Sequence, residues 1–252
     1  MGNKIYYKYL DIEGGKKSLS NLTLKYSSPK SVNDPTEFYV SGFHDITESE
    51  KPRIINYWRR KYGYEYTGFT FSDNINSKEN LKEELLAINE KISKYYYFLS
   101  LSHLNNSLSM WYHYANKHTG IVIGYAEESF PQLYNVKYVK EPPKIRHNCV
   151  LDDDARFKQL IDILTTKSDA WSYEQEVRDI LYMDKENTKL LYFEKGIVPI
   201  EAHFIKEICF GMKCTNKTKQ QIRNICQQRH IQCSFLEAKL DYSSYLSIQP
   251  IK

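Results

Sequence analysis

A chain of 252 residues that is 41% hydrophobic can build a core of its own, and its 22 tyrosines and 11 phenylalanines supply much of the apolar bulk. The formal charge of +4 is small for that length, so charge alone does not mark a nucleic-acid binder. No apolar run approaches the roughly 20 residues that a bilayer crossing needs, and Met1-Gly2-Asn3-Lys4 leads into no signal-peptide core, so the expected location is cytoplasmic and off the membrane. Met1-Gly2 opens like a myristoylation signal, but Tyr6 stands where that pattern wants Ser or Thr. Cys149, Cys209, Cys214, Cys226 and Cys233 form no CxxC pair and no zinc-finger spacing, which predicts reduced, structural thiols.

Lys4 to Leu10 reads as an opening strand, with Gly14-Gly15 as the turn that ends it. Leu22, Leu24 and Tyr26 alternate with polar neighbours and predict a half-buried second strand. Asn33-Asp34-Pro35 forms a fixed turn, because Pro35 lacks an amide donor and restricts the residue before it. Helical spacing follows over Glu48 to Tyr62 and over Ser77 to Lys94, where Leu81, Leu85, Ile88 and Ile92 share one stripe. Tyr95 to Ser102 is a short aromatic strand, Ser107 to Lys117 a helix closed near Gly120, and Gly120 to Ala126 the next strand. Asp152-Asp153-Asp154 starts a helix that ends near Lys167, with the acids at its dipole-favoured end and a strand pair expected after it. Strands are then expected at Lys189 to Phe193, Phe204 to Phe210 and Ile231 to Glu237, with a helix from Asn216 to Arg229 capped by Asn216 or Thr218. Helices and strands interleave irregularly without a repeat or long linker, which predicts one α+β domain over residues 1–252, with a mixed or antiparallel sheet flanked by helices.

The motifs occur in a definite order. Tyr7-Lys8-Tyr9 comes first, then Leu24 to Pro29, Asn33-Asp34-Pro35-Thr36-Glu37 and Ser100-Leu101-Ser102. Met110-Trp111-Tyr112-His113-Tyr114-Ala115 and His118-Thr119-Gly120-Ile121 follow, then Lys167 with Trp171 to Arg178, and Ile208-Cys209-Phe210-Gly211 closes the series. In this order and spacing the chain resembles the DUF2971 family of bacterial proteins along nearly its whole length. That resemblance implies no defined activity.

Trp171 to Arg178 is the segment richest in chemistry. As a strand it would project Glu174, Glu176 and Arg178 from one face; as a helix it would pair Glu174 with Arg178 at i,i+4 and leave Trp171 as a core anchor. Two carboxylates and a guanidinium on one patch can hold a ribose hydroxyl, stabilise an oxocarbenium ion and orient a nucleophile, and a salt-bridge ladder is the structural alternative. Glu174-x-Glu176 is similar to the signature of mono-ADP-ribosyltransferases, which are α+β proteins on a split sheet. The similarity implies NAD as cofactor, Glu176 as the catalytic glutamate, Glu174 orienting the acceptor, an early strand at Tyr7, Lys8 and Tyr9, and a middle strand at Ser100 and Ser102. The early strand has no Arg or His, which leaves Lys8 or a tyrosine for the cofactor, with Lys8 or Arg178 near its phosphates.

Trp111, His113, Tyr114 and His118 form a second group at helical spacing. Their rings suit a stacked nicotinamide or base, or else helix-to-sheet packing, which is the expectation for Trp111. Asn33, Asp34 and Glu37 are a third group, expected as a turn and kept as candidate contacts to a substrate. The leading expectation is an NAD-dependent ADP-ribosyltransferase or NAD glycohydrolase acting as a bacterial toxin or phage-defence effector on a protein or nucleic-acid acceptor. A non-catalytic nucleotide or nucleic-acid binding module is the alternative. A metal-dependent nuclease or phosphohydrolase would need Asp34, Glu37, His113, Glu174 and Glu176 to converge, and no metal ligand is assigned.

Overall fold

The structure is a computed structural model and describes residues 4–34, 36–44, 47–62, 90, 92, 94–146, 153–182 and 196–251. Residues 1–3, Pro35, Cys149, Asp152, the strand expected at Lys189 to Phe193 and all but the end of the helix expected at Ser77 to Lys94 lie outside them. In chain order the elements begin β1 (Ile5–Leu10), α1 (Ile12–Asn21), β2 (Thr23–Lys25), β3 (Gly42–Phe43), α2 (Lys51–Tyr62), β4 (Tyr96–Ser102), α3 (Leu108–His113) and β5 (Ile121–Ala126). Next come β6 (Leu133–Asn135), β7 (Lys137–Val139), β8 (Lys144–Ile145), α4 (Asp153–Leu164), β9 (Thr166–Ser168) and β10 (Glu176–Tyr182). β11 (Ile197–Pro199), β12 (Ile205–Phe210), α5 (Asn216–Gln228), β13 (Ser234–Asp241) and β14 (Tyr245–Pro250) complete the series. The α+β class is borne out. No helix among the described residues is long and apolar enough to cross a membrane.

The chain divides into two compact units, one made of Met1–Ser28, Tyr97–Val136 and Ala170–Lys252, the other of Pro29–Tyr96 and Lys137–Asp169. The first holds an eight-stranded sheet in the order β14-β13-β12-β5-β1-β4-β10-β6. β1 lies between β5 and β4 and is antiparallel to both, with Tyr7 opposite Gly124 on one side and Ser102 on the other. β12 and β13 are parallel, joined across α5, and β14 turns back antiparallel on β13.

Both faces of this sheet are covered, so β5 is buried along its whole length and reads as a continuous apolar run, Ile-Val-Ile-Gly-Tyr-Ala. Ile121, Ile123 and Tyr125 face α1 and α5, where they pack with Leu19, Ile222 and Cys226. Val122 turns the other way, toward Tyr9, Met110, Trp111, Ala115 and Cys209. A fully buried isoleucine such as Ile121 or Ile123 contributes roughly 1.5–3 kcal/mol.

α1 replaces the turn expected at Gly14-Gly15. Asp11 caps it, its carboxylate accepting from the Gly14 amide at 2.6 Å. A Cβ on Gly15 would lie 2.4 Å from Ile121 Cδ1, so the glycine serves close helix-to-sheet approach rather than chain reversal. The helix stops at Leu22, which is left-handed at φ 51, and so the expected second strand shrinks to β2. α5 is capped by Thr215, which accepts from the Thr218 amide at 3.2 Å, and not by Asn216 or Thr218.

The second unit contains α2, α4, the parallel pair β3–β8 and the parallel pair β7–β9. Ile54, Ile92, Ile145, Ile163 and Leu164 are buried there.

Candidate functional site

The strand triplet β1-β4-β10 gathers most of the residues singled out in the sequence. Alternation along β1 and β4 puts Tyr7, Tyr9, Ser100 and Ser102 on one face, because Tyr7 and Ser102 are cross-strand partners. In β10, Val177 joins the α1/α5 side of the core, so Glu176 and Arg178 project to the face that carries Ser102. Lys8 points the other way; its ammonium donates to the Ser100 carbonyl at 2.8 Å and stands apart from the face of Tyr7 and Tyr9.

Neither continuous reading of Trp171 to Arg178 holds. Asp169–Glu174 is a 3₁₀ helix, Gln175 is left-handed at φ 42, and β10 begins only at Glu176. The two glutamates therefore belong to different elements. The end of β4 fixes the junction: Ser102 Oγ donates to the Glu174 carbonyl at 2.6 Å, and the His103 amide donates to the Gln175 carbonyl at 3.1 Å. Glu176 and Arg178, two apart on one strand face, form a two-pronged ion pair, Nε to Oε1 at 2.8 Å and Nη2 to Oε2 at 3.0 Å. Their side chains are 4% and 0% exposed. The guanidinium also lies over the Phe98 ring, 4.8 Å from its centre.

Glu174 faces a group of rings. Its Oε1 accepts from the Tyr114 hydroxyl at 2.6 Å, and the carboxylate is buried. His113 lies 6.4 Å from the ring of Tyr173, which lies 6.0 Å from Trp171. His113 is exposed, while Trp171, Tyr173 and Tyr114 are half-buried. Trp111 is a core anchor, fully buried, its indole donating to the Asn105 carbonyl at 2.8 Å and its ring edge-on to Tyr9. Burial raises the Tyr9 hydroxyl pKa; burial and then Glu207, which accepts its hydrogen bond at 3.2 Å, raise that of Tyr7. Both phenols are held neutral.

Asn33, Asp34 and Glu37 lie in the second unit. Asp34 accepts from the Thr36 amide at 2.8 Å and from its hydroxyl at 2.7 Å, the expected self-bonding turn, and Glu37 pairs with Lys167 at 3.9 Å. Among the described residues no three His, Cys, Asp or Glu side chains gather in a metal-binding group.

Residues 110–178 match the family model described as "Protein of unknown function (DUF2971)". Over this segment the chain is similar to the DUF2971 family. No curated protein and no solved structure matches the chain. The two ends of the DUF2971 segment that lie in the first unit carry Trp111, His113 and Tyr114 on one side and Glu174, Glu176 and Arg178 on the other, joined by the Tyr114–Glu174 hydrogen bond.

Two features of this protein were not read from the sequence, a buried acid at Asp179 and the left-handed run that carries His118. Asp179 is buried on the α1/α5 side and accepts from Tyr26 at 2.5 Å; burial raises its carboxyl pKa. The signal was there, an acid between Val177 and Leu181 on the apolar face of a strand. After α3, Asn116, Lys117 and His118 all have positive φ (45, 54 and 71), a rare run for residues with side chains. His118 Nδ1 is buried without a hydrogen-bond partner, and desolvation, then Lys213, lower its pKa.

Proposed function

We propose that the chain binds an NAD-class dinucleotide beside Tyr114 and Glu174 and cleaves its nicotinamide N-glycosidic bond. The observation that supports the reading is a buried carboxylate, Glu174, held by a tyrosine hydroxyl at 2.6 Å beside a half-open set of rings. Rings of this kind stack on a planar cationic pyridinium, and a fixed carboxylate stabilises the positive charge that develops at the ribose carbon as the bond lengthens. The C1′–N bond breaks, nicotinamide leaves with the bonding pair, and the oxygen of water or of an acceptor hydroxyl bonds to C1′ and gives up its proton. Hydrolysis yields ADP-ribose; transfer yields an ADP-ribosylated protein or nucleic acid.

The sequence reading gave catalysis to Glu176. Both of its oxygens are engaged by Arg178, so the proposal assigns the oxocarbenium-facing role to Glu174 and makes Glu176 a positioning residue that holds the start of β10. Tyr7, Tyr9 and Ser102 then form the wall behind the site, and depletion of NAD would make the chain a toxin-type effector. The same ion pair favours a second reading, a nucleotide-binding module without turnover, because Glu176 is already neutralised.

The test is nicotinamide release from NAD by purified protein beside Glu174→Gln and Glu176→Gln, with NAD binding followed by calorimetry. Release lost in Glu174→Gln while binding persists supports the enzyme. Binding without release in the wild type favours the module, and absence of both overturns the two readings together.

A further inference from the structure

β1 pairs with β5 along its whole length, from Ile5 to Leu10, but its register with β4 comprises the single pair Tyr7 and Ser102. Past that pair the Ser100 carbonyl accepts from the Lys8 ammonium, at 2.8 Å, where a continued ladder would have supplied a strand partner. A cavity of about 390 Å³ lies beside this opening, lined by Lys8, Leu10 and Leu99 together with residues of α1, β2 and β11. Every residue of its lining belongs to the first unit.

The lining combines a buried apolar base with cations. Leu24, Leu99 and Tyr125 are buried, and Ser18 stands over them, its hydroxyl donating to the Thr23 carbonyl at 2.6 Å and lying 3.3 Å from the Tyr125 hydroxyl. Lys8 is half-buried on the α1 side of β1, in the row that carries Tyr6 and Leu10, an unusual place for a cation. Lys17 of α1 and Lys25 of β2 line the same cavity and are exposed. Asp11 and Glu13 also line it, and both are engaged: Asp11 accepts from the Gly14 amide at 2.6 Å as the helix cap, and Glu13 pairs with Lys16 at 3.2 Å.

We propose that this cavity is a binding site for a small phosphomonoester, whose phosphate lies among Lys8, Lys17 and Lys25 and whose organic body rests on Leu24, Leu99 and the Tyr125 ring. Its volume falls within the range of about 300–1,000 Å³ that small-molecule sites occupy. Ammonium groups act as point charges that can approach a phosphate from several sides, whereas a carboxylate is gripped best by the planar fork of an arginine. Lysines on three separate elements line the cavity, and no arginine is among the described lining residues. The bond to Ser100 fixes how deep the Lys8 ammonium sits, while Lys17 and Lys25 are open to an incoming anion. This inference stands apart from the proposed glycosidic chemistry, because Lys8 is on the opposite face of β1 from Tyr7 and Tyr9.

The test is calorimetric titration of the full-length protein with phenyl phosphate, beside phenol and benzoate. The expected result is saturable binding of phenyl phosphate, with phenol and benzoate weaker by about tenfold or more. Lys17→Gln combined with Lys25→Gln, at exposed positions where a melting curve verifies the fold, should weaken phenyl phosphate binding about tenfold or more. The same loss of two charges at Lys217 and Lys239, exposed lysines outside the cavity, should leave the affinity at the wild-type value. No saturable binding of phenyl phosphate, equal binding of benzoate, wild-type affinity in the Lys17 and Lys25 variant, or equal weakening in both double variants would each overturn the proposal.

Discussion

Replacing Arg178 by Met and Glu176 by Gln, singly and together, tests whether the pair is a buried electrostatic unit or an incidental contact. The side chains are 0% and 4% exposed, with two hydrogen bonds at 2.8 and 3.0 Å. Deleting one partner leaves the other charge buried, which costs about 3–5 kcal/mol, and Arg178→Met also loses the Phe98 stacking, about 1–2 kcal/mol when desolvated. The double variant removes both charges of the pair and fills similar volume, so its cost falls well below the sum of the two singles. The expected coupling is therefore at least about 3 kcal/mol, read from urea unfolding followed by far-UV circular dichroism. Singles that each cost about 1 kcal/mol and sum to the double would refute the reasoning, since that is how an exposed pair behaves.

Two further outcomes follow from the loop after α3. His118 has a folded-state pKa below its ordinary value of 6.5, so on acidification the unfolded chain takes up the proton first. Its contribution to stability is full above 6.5, falls as pH drops from there to the folded-state value and is level below it; His118→Gln should flatten that part of a melting-temperature profile, and an unchanged slope would show that His118 is not the group responsible. A Cβ on Gly211 would stand 2.2 Å from the His118 carbonyl oxygen, a backbone atom that cannot swing aside. Gly211→Ala should cost at least about 2 kcal/mol in urea unfolding, and a wild-type midpoint would show that the loop yields.

Elements whose sequence period matches their surroundings were legible. β4, β5, β12 and α5 lie within a residue or two of their expected bounds, because apolar runs and helical spacing reflect burial directly. The misreadings share a cause in tertiary contact. Gly14 and Gly15 resemble a turn until Ile121 requires a helix face without a Cβ. The helix after Ser107 stops at His113 rather than Lys117, because the chain enters a left-handed run held by the Trp111 carbonyl and the Lys213 amide. β14 went unread because, among the described residues, it is an edge strand paired with β13 alone, across the Tyr242 to Ser244 turn. Within the candidate site, the association of Glu176 with Arg178 follows from strand alternation. The separation of Glu174 from that face depends on one φ angle at Gln175, which no periodicity encodes. Tyr173 stood in the chemically rich segment without a role and Trp171 was read only as a core anchor, since ring contacts across chain segments leave no local pattern.

The position of β1 bears on how the protein emerges from a ribosome. This strand is made before both of its neighbours, yet it lies between them: the Tyr9 hydroxyl waits for the Leu104 carbonyl, 95 residues later, and β5 follows later still. During vectorial synthesis a tyrosine-rich segment with two unpaired edges must persist until residues beyond Ala126 have left the exit tunnel. Nascent chains stalled before that point are expected to engage holdase chaperones or precipitate, whereas chains stalled just after it already contain the β5-β1-β4 nucleus.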